Sequence, residues 1–64
     1  MSYLKIKKKM DNMVKKMASL ENSQAKHDLF MAYYNLVGQT QTEKPSIILQ
    51  KLERFEKLYI DKME

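Results

Sequence analysis

The stretch SLENSQ, residues 19–24, decides the fold, because two segments with apolar patterning meet there. Asn22 or Ser23 carries a side chain that can cap the start of a new helix, which would let the chain turn back on itself. The stretch nevertheless contains neither glycine nor proline, and its polar residues are tolerated inside helices. If the chain runs through, the two segments form one helix of about 35 residues, roughly 50 Å long at the usual helical rise.

The segment before this stretch predicts a helix over about residues 3–21. Its apolar residues recur at alternating spacings of three and four: Tyr3, Ile6, Met10, Met13, Met17 and Leu20. This heptad spacing is typical of a helix that lies nearly parallel or antiparallel to another helix. On a helical projection most of the nearby lysines fall on a separate face: Lys5, Lys8, Lys9, Lys15 and Lys16. Residues 1–16 hold six lysines and one aspartate, so the excess positive charge of the chain is concentrated at this end.

The segment after the stretch predicts a second helix over about residues 24–37, which is apolar on nearly all sides and must be covered on nearly all sides. Gly38 is the type of residue that follows the end of a helix, and the sequence after it is polar, so we predict a loop over residues 38–45. A third helix is predicted over about residues 46–63. Its seam is spaced by four, three and four residues: Ile48, Leu52, Phe55 and Tyr59.

Two all-α architectures for a single domain of residues 1–64 remain open. The first is a small helical bundle of three helices, with breaks near residues 21–24 and 38–45. The second is a long helical hairpin in which helices 1 and 2 are continuous, and it requires dimerisation to cover the exposed part of its seam. In either case the apolar arcs of the second and third helices are wider than one neighbour buries. We therefore expect self-association as a homodimer, or a protein partner.

The composition places the chain among small globular proteins of the cytoplasm. At 64 residues the buried fraction is low and stability is marginal. The chain has no cysteine, so disulfides and thiolate zinc sites are excluded and a reducing compartment is expected. The longest apolar run is far shorter than the ~20 residues of a transmembrane helix, and no apolar segment follows the first lysines as in a secretory signal.

The sequence predicts neither an enzyme nor a metalloprotein. It contains no glycine-rich phosphate loop and no glycine-built nucleophile elbow, and its single histidine, His27, has no companion at metal-ligand spacing. Glu53 and Glu56 share a helix face but lie among basic residues, so we interpret them as part of a solvated surface. We expect no catalytic residues, no cofactor and no small-molecule substrate.

The first functional hypothesis is therefore a non-enzymatic interaction protein that regulates or inhibits a protein partner through apolar helix faces. Large aromatic residues contribute most when an interface desolvates them, and the predicted anchors are Phe30, Tyr33, Tyr34, Phe55 and Tyr59. The alternative is an accessory protein that binds nucleic acid with little sequence specificity, because lysines attract phosphates without reading bases. Its predicted polyanion-binding residues are Lys5, Lys8, Lys9, Lys15 and Lys16.

Overall fold

The computed structural model describes residues 3–63, and these residues form a small all-α bundle without strands. Three α-helices follow one another along the chain: α1 (Tyr3–Ala18), α2 (Gln24–Thr40) and α3 (Pro45–Phe55). The last helix continues as a π-helical turn, Glu56–Ile60, and a 3-10 turn, Asp61–Met63. We call residues 56–63 the C-terminal segment. The prediction of a bundle of three helices is confirmed.

The chain breaks between α1 and α2, so the alternative prediction, in which helices 1 and 2 are continuous, is wrong. Ser23 has extended backbone angles, and its side chain accepts a hydrogen bond of 3.2 Å from the backbone N–H of Lys26, as an N-cap residue does. The Lys26 ammonium donates to the carbonyl oxygens of Ala18 and Leu20, at 3.1 and 3.2 Å. Carbonyls at the end of a helix lack partners within it. One lysine of α2 thus stabilises the end of α1, which comes at Ala18 instead of the predicted residue 21.

The second helix is longer than predicted, because Gly38 lies inside it. The backbone of Gly38 does not adopt a positive φ, and α2 continues to Thr40. Thr40 is buried, and its hydroxyl donates a hydrogen bond of 3.1 Å to the carbonyl of Val37. One more helical turn therefore adds a residue to the core and satisfies its hydroxyl. The predicted loop of residues 38–45 shortens to residues 41–44, and α3 begins at Pro45.

The core lies along α1, where α3 and the C-terminal segment pack against the predicted seam. Its buried apolar residues are Ile6, Met13, Met17, Leu29, Tyr33, Ile48, Leu52, Phe55 and Ile60. Met10 and Leu20 pack at its edge, whereas Tyr3 is exposed. The heptad prediction for α1 is therefore confirmed for every seam residue except the first.

The seam predicted for the third helix fails at its last position. A π-helical turn holds more residues than an α-helical turn, and here the N–H of Asp61 bonds to the carbonyl of Glu56. The extra residue rotates the following side chains, so that Ile60 is 0% exposed and Tyr59 is 53% exposed. Ile60 occupies the interior position that the regular α-helical spacing assigns to Tyr59.

Candidate protein interface

A carboxylate holds the C-terminal segment against α1. Glu56 is only 8% exposed, and it accepts hydrogen bonds from the ammonium groups of Lys9 and Lys16. The distance from Lys16 Nζ to Glu56 Oε2 is 3.0 Å, and the same nitrogen lies 3.2 Å from Asp61 Oδ1. We call these four residues the Glu56 cluster. It joins the middle and the last turn of α1 to both ends of the π-helical turn.

The charges of the Glu56 cluster stabilise one another. Burial raises the pKa of Glu56, but the hydrogen bonds from Lys9 and Lys16 lower it more, so the pKa lies below its ordinary value. The hydrogen bonds to Glu56 and then to Asp61 raise the pKa of Lys16 above its ordinary value. Both shifts favour the ionised forms of Glu56 and Lys16.

The cluster corrects one interpretation made from sequence and bears on another. Glu56 is not part of a solvated surface, because it is buried against α1, while Glu53 is exposed. Of the five lysines predicted to bind polyanions, Lys9 and Lys16 contact carboxylates of this chain. The remaining three are exposed: Lys5, Lys8 and Lys15. Lys9 and Lys16 are seven residues apart, which places them about two turns apart on one side of α1.

The π-helical turn directs two large apolar side chains outward, opposite one side of α2. Leu58 is 41% exposed and Tyr59 is 53% exposed. Together they line two adjoining depressions of about 450 and 250 Å³. On the α2 side the lining residues repeat at spacings of four, three and four: Ala25, Leu29, Ala32 and Leu36. We call this surface the Leu58 groove.

Charged residues border the Leu58 groove, and most of them are basic. Lys51 and Arg54 line one end, and Lys62 lines the other. Lys51 is bound to the carboxylate of Glu43 at 2.9 Å. Within residues 3–63, neither Arg54 nor Lys62 forms an ion pair. The one acid in the lining, Asp28, accepts a hydrogen bond from the side chain of neighbouring Gln24.

The five predicted aromatic anchors form one continuous series of ring contacts. The centroid distances are 6.3 Å for Phe30 and Tyr34, 5.4 Å for Tyr34 and Tyr33, 6.3 Å for Tyr33 and Phe55, and 5.0 Å for Phe55 and Tyr59. Tyr33 and Phe55 are buried in the core, and burial raises the pKa of the Tyr33 phenol. These two rings support the surface from below. Tyr34 and Tyr59 are exposed, at 62% and 53%, but only Tyr59 lines the groove.

Sequence reasoning missed Leu58 and the two alanines as surface features. Ala25 and Ala32 alternate with Leu29 and Leu36 at heptad spacing. Small residues at such positions allow another helix to approach closely. Leu29 is itself buried in the core, so this seam borders the core-facing side of α2.

A second, smaller cavity lies at the other end of the bundle. Its volume is about 160 Å³, and its lining is mostly apolar: Tyr3, Ile6, Met10, Val37, Thr40, Gln41, Ile48 and Leu52. The hydroxyl of Thr40 donates to the carbonyl of Val37, so Tyr3 and Gln41 are the lining side chains left to contribute polar groups. The cavity therefore offers few polar groups to orient a ligand, and it is a weaker candidate site than the Leu58 groove.

Two further observations bear on the class of protein. In the part of the chain that the structure describes, no group of three or more His, Asp or Glu side chains is placed to hold a metal ion. None of the helices in residues 3–63 has the length and apolar content needed to cross a bilayer. Comparison of the chain with protein-family models, with curated proteins and with solved structures found no match.

Proposed function

We propose that the chain is a non-enzymatic interaction protein that regulates or inhibits a protein partner by binding it in the Leu58 groove. The observation that carries the proposal is the outward position of Leu58 and Tyr59, opposite the Ala-Leu seam of α2. Aromatic side chains such as Tyr59 are among those that contribute most of the binding free energy when a partner desolvates them. The proposal thus keeps the interaction hypothesis and assigns it to one surface.

The Glu56 cluster supports the proposal because it holds the turn that carries Leu58 and Tyr59 in a fixed position. Side chains bind tightly when they are held in the bound geometry before the partner arrives, since less conformational entropy is then lost. The π-helical turn that carries Leu58 and Tyr59 is fixed at Glu56 by Lys9 and Lys16, and by the burial of Ile60. The groove is therefore preorganised along its C-terminal side.

A second copy of the chain is one partner that the groove could accept, in keeping with the expected homodimer. Light scattering of the purified chain distinguishes the two uses. A dimer that the Leu58→Asp variant converts to a monomer assigns the groove to self-association. A monomer leaves the groove available for a different protein.

The proposal is tested by photo-crosslinking in the cells that encode the chain. A benzoylphenylalanine is placed at Tyr59 in one variant and, as the matched control, at Tyr34, an exposed tyrosine outside the groove. We expect a discrete protein adduct from position 59, identified by mass spectrometry, and its loss when Leu58→Asp is added. Equal adducts from both positions, or none from position 59, would refute the proposal.

Nucleic-acid binding through the lysine face has less support. Two of its five predicted lysines, Lys9 and Lys16, are bound to Glu56, and the ion pairs would have to break before either could contact a phosphate. Three exposed lysines remain for this function: Lys5, Lys8 and Lys15. Three phosphate contacts support weak, strongly salt-dependent binding.

A further inference from the structure

We infer that the Leu58 groove binds an amphipathic helix with acidic residues at both ends of its apolar stripe. The inference rests on the proposed function and names the chemistry of the partner. Its first element is the shape of the groove, which has two helical walls: the seam of α2 and the C-terminal segment. A third helix packs against two others at interaxial distances of about 8–10 Å when small side chains allow the approach. Ala25 and Ala32 provide these small positions and alternate with Leu29 and Leu36.

The length of the groove sets the length of the partner. The seam extends from Ala25 to Leu36, a distance of roughly 16 Å at the helical rise of about 1.5 Å per residue. A partner helix of about three turns covers this distance. Such a helix would place its apolar residues at heptad spacing over Leu58 and Tyr59, as amphipathic helices do in hydrophobic grooves.

The basic residues at the rim of the groove favour acidic residues at the two ends of the partner's apolar stripe. Arg54 and Lys62 lie four residues before and four residues after Leu58, so a cation stands at each end of the exposed apolar patch. Neither has an anionic partner among residues 3–63. Behind Leu58, Glu53 and Lys57 line a neighbouring depression and carry opposite charges, so they leave this balance unchanged. Acids at both ends of the partner's apolar stripe would be attracted, and bases there would be repelled.

The same charges argue against a second copy as the occupant. In a two-fold interface the same patch contributes from both subunits. Self-association through the groove would bring the cationic rim of one copy against the cationic rim of the other, with only Asp28 on each side to offset it. An acidic helix of another protein would meet Arg54 and Lys62, with Asp28 as the one acid of the lining to repel it.

The test uses the full chain and two synthetic helical peptides that share one leucine stripe of three turns. One peptide carries glutamates at both ends of the stripe, and the other carries lysines at the same positions. Binding is measured by fluorescence anisotropy at low salt. We expect the glutamate peptide to bind at least about tenfold more tightly, because two attractive contacts replace two repulsive ones. The double variant Arg54→Gln/Lys62→Gln should abolish this preference.

The control variant is Lys5→Gln/Lys8→Gln, which removes two exposed cations from another surface and changes the net charge equally. It should leave the preference intact, and circular dichroism verifies that both variants fold. Equal affinities for the two peptides, or an equal loss in both double variants, would overturn the acidic-helix inference. If both peptides bind equally and Leu58→Asp abolishes both, the proposed function stands and only the partner chemistry is refuted. If neither peptide binds while the position 59 crosslink persists, the inference is again refuted and the proposed function is retained.

Discussion

The Glu56 cluster predicts a specific loss of stability in the variant Glu56→Gln. Glutamine preserves the shape of the side chain and one oxygen acceptor but removes the charge that Lys9 and Lys16 both contact. Hydrogen bonds to a charged group are stronger than neutral ones. Breaking a fully buried ion pair costs about 3–5 kcal/mol. Here the two lysine side chains are 25% and 39% exposed, so water can replace part of the lost interaction.

We therefore expect Glu56→Gln to lower the free energy of unfolding by about 1–2 kcal/mol. A domain of this size has a total of about 3–10 kcal/mol, so the loss is a large fraction of it. The expected fall in Tm is about 5–15 °C, measured by circular dichroism at neutral pH. The matched control is Glu53→Gln, three residues earlier on the same helix, where the carboxylate is exposed. It should change the free energy of unfolding by less than about 0.5 kcal/mol.

The pH dependence of stability gives the sign of the effect. Because the pKa of folded Glu56 is below its ordinary value of 4.5, its contribution is present above that value. The contribution is lost as the pH falls through the lower, folded pKa. Wild type and Glu56→Gln should therefore differ most at neutral pH and converge in acid. A difference that stays constant into strong acid, or an equal loss in Glu53→Gln, would refute the assignment of Glu56 as a charged anchor.

Three other outcomes are expected. Ile60→Ala should lower the free energy of unfolding, measured by urea denaturation, by about 2–4 kcal/mol, because it leaves a cavity at a buried site. Tyr59→Ala should lower it by less than about 1 kcal/mol. A larger loss for Tyr59→Ala than for Ile60→Ala would contradict the π-helical turn. Gly38→Ala should raise stability by about 0.5–1 kcal/mol, since an added Cβ meets nothing within 4 Å, and a lower Tm would contradict a helical Gly38. If the chain binds DNA, replacing Lys5, Lys8 and Lys15 with glutamine should reduce the slope of log affinity against log salt concentration by up to about 2.7. An unchanged slope would exclude these lysines as the DNA-binding face.

The helices and most of the core could be predicted from the spacing of apolar residues. The seam of α1 alternates regularly, and a regular helix converts that spacing directly into one buried face. Met13 and Met17 are buried as this rule requires. The sequence left open whether the helix breaks near residue 23, because Ser23 can cap a new helix or lie inside a continuous one. The hydrogen bonds of Lys26 to Ser23 and to the end of α1 favour the break, and they depend on the folded arrangement.

The features that sequence reasoning missed all depend on tertiary contacts. Gly38 continues the helix because burial of Thr40 outweighs the low helix propensity of glycine. The π-helical turn has no local sequence signal. It places Ile60 instead of Tyr59 at the buried position that packs against α1. Glu56 belongs to a run of charged residues that resembles a solvated surface, and only the packing of α1 brings two lysines to it.

The π-helical turn links the anchor to the candidate interface. A regular α-helix through residues 56–60 would direct Tyr59 toward α1 and satisfy the backbone with better hydrogen-bond geometry. The chain instead buries Ile60 and Glu56, and leaves Tyr59 and Leu58 outside. Exposed apolar area costs roughly 25 cal/mol per Å² relative to burial, so the isolated chain does not gain from their outward position. Covering that area with another surface would recover this free energy, and this is the physical basis for proposing a partner site in the Leu58 groove.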